Sequence, residues 1–159
     1  MSRHTARIHV LNLVFQFPFH PEWAGSKGLF MEAGEQYLSA LPDYQGLLAG
    51  LSPDDGERLF IEETAAGVFD KQMQIDTMIN ERLKNWSFER IAKIDIALLR
   101  LAAYEMCFSS DVTVATAINE AVELAKIYGT DDSPAFINGV LGHLAKAGIN
   151  SAEETAADG

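Results

Sequence analysis

Few side chains in this sequence could carry covalent or metal chemistry. Cys107 is the only thiol. It stands between Met106 and Phe108 at the end of a helical pattern, the setting of an inert, buried or half-buried sulfur rather than of an activated thiolate. The histidines lack metal-ligand spacing: His4 and His9 fall on different faces of a helix, so no zinc site is expected. A glycine-rich phosphate loop needs a strand before it, and no segment shows the apolar-polar alternation of a strand. Carboxylates are plentiful, but none is set apart by its neighbours. The expectation is a protein with no catalytic residues, no metal and no cofactor: not an enzyme, but a chain that works by binding.

Helical periodicity organises the chain into seven segments. The first, about Arg3 to Phe17, places Ile8, Leu11 and Phe15 on one face, with Asn12 interrupting the stripe. Pro18 and Pro21 end it. Pro18 to Gly28 reads as a loop anchored by Trp23, and a second helix runs from about Leu29 to Leu41. Ser52-Pro53-Asp54-Asp55 has the order of a helix start: a capping hydroxyl, proline at the first position, then acids at the positive end of the dipole. That third helix reaches about Phe69, with Gly67 as its weak point, and a fourth follows from Lys71 to Leu83. After Trp86-Ser87, the residues Ile91, Ile94, Leu98, Leu101 and Ala102 share a face through Phe108. Thr113 to Tyr128 carries a stripe of Val114, Ile118, Ala121, Val122, Ala125 and Tyr128, stopped by Gly129. Ser133 as cap and Pro134 at the first position open the seventh helix, with Ile137, Val140, Leu141 and Leu144 turned inward. At ~100° per residue, Phe136 lies roughly 90° from the centre of that face.

These segments make an all-α bundle with short connections. One domain is expected over 1–148, with 149–159 as an acidic, disordered tail that carries Glu153, Glu154 and Asp158 and no base. The formal net charge of -11 argues against indiscriminate nucleic-acid binding. The charge is uneven, however. From Met1 to Pro21 there is no acid, and Arg3, Arg7, His4, His9 and His20 all lie there. A lone cysteine, no signal-peptide pattern and no apolar run near the ~20 residues of a membrane span fit a cytoplasmic protein with no membrane partner.

Three blocks go further. Ile94-Asp-Ile-Ala-Leu-Leu-Arg-Leu-Ala-Ala-Tyr-Glu-Met106, Ala117-Ile-Asn-Glu-Ala-Val-Glu-Leu-Ala-Lys-Ile-Tyr-Gly129 and Phe136-Ile-Asn-Gly-Val-Leu141, in that order, resemble the C-terminal half of the NusB antitermination factors. Ile75 to Asp95 also looks like the family. The resemblance implies an all-helical fold of two packed halves and a free-standing factor without catalytic activity. It also implies binding to the boxA element of ribosomal RNA transcripts together with NusE, a small-subunit ribosomal protein, within an antitermination complex on RNA polymerase. The family's motif phenylalanine lies at the RNA site, which marks Phe136 as a ring on which a base can stack. Its arginine-rich first helix corresponds here to Arg3, His4 and Arg7. Two arginines neutralise few phosphates, so weak RNA binding alone and better binding with NusE is expected.

In the family the NusE surface lies largely on C-terminal helices and includes acids, which points to Glu105, Glu120, Glu123, Asp131 and Asp132. Tyr104, Glu105, Asn119 and Asn138 also read as polar groups beside the core that satisfy one another. Two other readings stand beside the leading one. One is an interaction module of the same fold with little RNA affinity. The other is the NusB-like domain attached to ribosomal RNA methyltransferases, for which this chain leaves no room. Some family members self-associate, so a homodimer stays open.

Overall fold

The computed structural model describes the backbone of residues 2–41, 55–83 and 87–158, and the side chains of these except Asp55 and 148–158. Seven α-helices are described: α1 (Arg3–Phe15), α2 (Lys27–Ala40), α3 (Asp55–Asp70), α4 (Gln72–Asn80), α5 (Lys93–Phe108), α6 (Val114–Tyr128) and α7 (Ser133–Asp158). Short 3₁₀ turns cover Phe17–Phe19, Pro21–Gly25 and Phe88–Arg90. The class is all-α, as the periodicity predicts, and no strand occurs among the described residues. No described helix is long and apolar enough to cross a membrane. The chain divides into two compact units, Met1–Asp70 and Lys71–Gly159.

In the first unit, Ser2 caps α1, its Oγ accepting from the Thr5 N–H at 3.1 Å. The buried face of α1 is Ala6, Val10, Leu11, Leu13 and Val14, while Ile8 and Phe15 are only half-buried. The predicted stripe was drawn through large residues. The helix turns instead to bring small Ala6 and Val10 inward, where close approach favours them. The second helix begins earlier than its apolar pattern, because Ser26 accepts from the Leu29 N–H at 3.3 Å and serves as cap. Trp23 is buried as expected and joins Phe17, Phe30 and Phe69 in an aromatic cluster. The predicted start of α3 at Ser52-Pro53 lies outside the described residues. Gly67 does not interrupt that helix, which continues to Asp70.

His9 and Tyr37 link α1 to α2 through a 2.8 Å hydrogen bond between Nδ1 and the phenol oxygen. The Asn12 amide donates to the same oxygen at 2.9 Å. Burial lowers the His9 pKa below its ordinary value. The unfolded chain thus takes up a proton at His9 more readily than the folded one, and stability falls as pH drops through the unfolded value of about 6.5. Urea midpoints taken near about pH 7.5 and about pH 5.5 should fall further for the native protein than for His9→Asn. Equal falls would remove His9 from the acid response.

In the second unit α5 is the central element, buried without a break from Asp95 to Ala103. The predicted core residues Leu98, Leu101, Ala102, Ala121 and Leu141 are buried, as are Ile137, Val140 and Leu144 of α7. The stripe of α6 is rotated from its predicted position. Ala117, Ala121, Leu124 and Ala125 face inward, Ile118 and Val122 are half-buried, and Tyr128 is exposed. The alanines again decide, since α6 packs closely through them.

Thr113 caps α6, accepting from the Thr116 N–H at 3.1 Å. At its other end the Gly129 N–H reaches the Ala125 carbonyl at 2.9 Å. A Cβ on Gly129 would lie 2.5 Å from both Cβ and Oγ of Ser133, so close approach requires glycine there. Ser133 is not the cap of α7. It is the first helical residue, and its buried Oγ accepts from the Thr130 N–H at 3.0 Å. The first helical bond runs from the Phe136 N–H to the Asp132 carbonyl, which gives Asp132 the cap position. Helix α7 is assigned through Asp158, past Gly148, where the sequence pattern places the end of the domain.

Candidate nucleic-acid interface

The cations of α1 belong to the first unit. Arg3 and Arg7 share a face as their spacing predicts, and both guanidinium groups lie over the Phe60 ring, at 4.2 and 5.6 Å from its centroid. Their exposures differ. Arg3 is open to solvent and sits 3.4 Å from Glu57, a loose ion pair. Arg7 is only 5% exposed. A cation so covered is poorly placed to meet a phosphate, which leaves Arg3 as the arginine of α1 that presents charge outward. His4 is half-buried beside them.

Phe136 belongs to the second unit. It is half-buried on the first turn of α7 and lines two clefts. One, of about 300 Å³, is bounded by Arg90, Ile91, Asp95, Thr130, Asp132 and Ser133. The other, of about 360 Å³, holds Arg82, Leu83, Gly139, Val140 and His143. Gly139 leaves open space beside the ring, one turn along α7. A half-covered aromatic ring with Arg90 in one cleft and Arg82 and His143 in the other can stack a base while nearby guanidinium and imidazole groups donate to the strand. None of these three side chains was singled out by sequence. His143 could have been, since it lies two helical turns after Phe136 on the same face. Arg82 and Arg90 carried no such signal, because only the chain path after α4 and the turn before α5 bring them to the ring.

Two buried polar atoms near this ring have no hydrogen-bond partner: Nε of Arg82 and Oδ1 of Asp95. Asp95 sits in the first turn of α5 and is 8% exposed.

The predicted partner-binding acids have different surroundings. Glu105 is 2% exposed, inside the unit rather than on a docking surface. Its neighbours along α5 are core residues, so its position fits the other reading, a polar group satisfied beside the core. Glu120 is half-buried, while Glu123, Asp131 and Asp132 are exposed. Glu123 pairs with Lys126 at 2.8 Å. Asp132 lines the smaller Phe136 cleft. Cys107 is exposed rather than buried, yet partial desolvation of its sulfur raises the thiol pKa and disfavours the thiolate.

The NusB family model matches residues 4–146, a span that includes every residue of the Phe136 clefts. The chain belongs to the NusB family. Transcription antitermination protein NusB of Acetivibrio thermocellus is 46% identical over 153 residues, covering 96% of this chain and 94% of that protein. The protein of the same name from Carboxydothermus hydrogenoformans is 38% identical over 148 residues, covering 92% and 94%. Among solved structures, that of T. maritima NusB has a TM-score of 0.76 at 28% identity and covers 92% of each chain. The family match begins after Arg3, so the most exposed cation of α1 lies outside it, while the motif that carries Phe136 lies well within it.

Proposed function

We propose that this NusB-family protein is a transcription antitermination factor. It binds the boxA element of ribosomal RNA transcripts as a single strand, together with NusE, and joins the antitermination complex on RNA polymerase in the cytoplasm. The observation that carries the RNA part is the Phe136 ring, set between clefts that hold Arg82, Arg90 and His143. Single-stranded RNA is held by stacking on aromatic rings and by cations near its backbone. The exposed acids Glu123 and Asp131, with half-buried Glu120, suit a basic ribosomal protein as partner, because opposite potentials speed encounter and fix orientation. If NusE and RNA each strengthen the other's hold, weak binding by the chain alone is enough.

The burial of Arg7 favours a second reading, a partner-binding module of the same fold with little RNA affinity. Fluorescence anisotropy of a labelled boxA RNA, with and without NusE, separates the two. Phe136→Ala should weaken binding about tenfold or more, the loss of one stacked base. Arg3→Ala should weaken it less and flatten its salt dependence. No selective binding by folded protein, even with NusE present, would favour the interaction module.

A further inference from the structure

The cleft of about 300 Å³ beside Phe136 is lined by two carboxylates, Asp95 and Asp132, and a single guanidinium, that of Arg90. That balance is poor for a phosphate and suits a group that donates hydrogen bonds. Asp95 gives the stronger indication. It is 8% exposed, it lines the cleft, and its Oδ1 is shielded from water without a hydrogen-bond partner. A buried carboxylate oxygen left unpaired is costly, and a donor that satisfies it recovers that cost. Oδ1 itself is shielded, so a donor in the cleft meets the other oxygen of the same carboxylate, and the charge the two oxygens share gains a hydrogen bond. The cleft volume is at the lower end of the range for small-ligand sites, enough for one base but not for a folded element.

We infer that this cleft selects a nucleobase bearing an exocyclic amino group, cytosine over uracil, with the Asp95 carboxylate accepting from the amino group of the base stacked on Phe136. The inference rests on the reading above that RNA stacks on this ring. Cytosine and uracil offer similar faces to Phe136, so stacking alone discriminates little between them. They differ at the ring edge. Cytosine presents an N4 amino donor where uracil presents the O4 acceptor. The N3–H of uracil lies between two carbonyl oxygens, and both are repelled by a carboxylate that approaches it. With the base edge directed at Asp95, the phosphates of the strand are best met from the other side of the ring, by Arg82 and His143.

The test uses fluorescein-labelled octacytidylate and octauridylate with the full chain, by anisotropy at one fixed low salt concentration and neutral pH. Octacytidylate should bind about tenfold tighter, the size of one hydrogen bond to a charged group. Asp95→Asn keeps the shape but offers a donor as well as an acceptor, so the preference should fall to about twofold or less. Thermal melting of the variant establishes that it is folded, and the native comparison stands without it. Phe136→Ala should weaken both oligomers together. Equal binding of the two oligomers by the native protein, with Phe136→Ala still weakening both, overturns the role of Asp95 and leaves the RNA reading in place. Binding of neither oligomer, with or without NusE, overturns both. A cytosine preference that survives in folded Asp95→Asn also overturns the assignment to Asp95.

Discussion

Phe30→Ala is expected to destabilise the first unit by about 3–5 kcal/mol, the usual cost of deleting a buried aromatic ring. Phe30 is 2% exposed and touches three other rings. It stacks on Phe69 at 4.7 Å with planes 5° apart, and meets Phe17 and Trp23 edge-on at 5.2 and 5.5 Å. Each contact adds to the area the ring removes from water. The cluster also explains why a stretch with two prolines and no long helix is ordered: the turns at Phe17–Phe19 and Pro21–Gly25 are held by the rings they deliver. Phe19 is the control. It lies in the same stretch but is 55% exposed, and Phe19→Ala should cost less than about 1 kcal/mol. Urea unfolding of the two variants measures the difference, and similar losses would mean that this cluster is not the core of the unit.

The elements of this fold were legible where large apolar residues set the period. Ile137, Val140, Leu141 and Leu144 of α7 gave the buried face directly. The reading was less exact where small residues share the packing. In α6 the stripe of Val114, Ile118, Ala121, Val122, Ala125 and Tyr128 holds at Ala121 and Ala125, but the buried face also takes in Ala117 and Leu124 and leaves Ile118 and Val122 half-buried and Tyr128 exposed. A methyl group contributes little to any hydrophobicity scale but permits the closest helix approach, so periodicity underweights it. The site shows the same division. Phe136 was legible through its motif, and the shared face of Arg3 and Arg7 through spacing. That Arg7 is covered was not, because the ring that covers it, Phe60, belongs to another helix. The meeting of Arg82, Arg90 and Asp95 at Phe136 could not be read, since it depends on how the chain after α4, the turn before α5 and the first turn of α5 lie against α7. The acids of the predicted partner surface divided too. Glu105 follows the face of α5 that turns inward, as its spacing of seven and four residues from Leu98 and Leu101 allows, so its reading as a polar group beside the core fits better than the one the resemblance implied.

Asp76→Ala is expected to cost about 3–5 kcal/mol, more than removal of the partner arginine. Arg100 of α5 donates from Nε and Nη2 to the two carboxylate oxygens of Asp76 on α4, at 2.8 and 2.9 Å. The pair is unevenly placed: the Arg100 side chain is 8% exposed and that of Asp76 29%. Without Asp76, a buried guanidinium loses its counter-charge and water reaches it poorly. Without Arg100, the carboxylate can still be hydrated from its open side, so Arg100→Met should cost less, about 1–2 kcal/mol. The double variant should recover much of the Asp76→Ala loss, since an apolar chain of similar length replaces the stranded charge. Equal costs for the two single variants in urea unfolding would show that the pair acts as a surface bridge rather than a buried one. The effect extends to the site. The Arg100 guanidinium also lies 5.6 Å from the Phe88 ring, at the start of the turn whose last residue, Arg90, lines the smaller Phe136 cleft. Asp76→Ala should therefore weaken boxA binding at temperatures where the variant is still folded. Arg100→Met keeps an apolar chain under Phe88 and should weaken it less. A buried ion pair distant from any base would then act in RNA binding by holding one wall of the cleft in place.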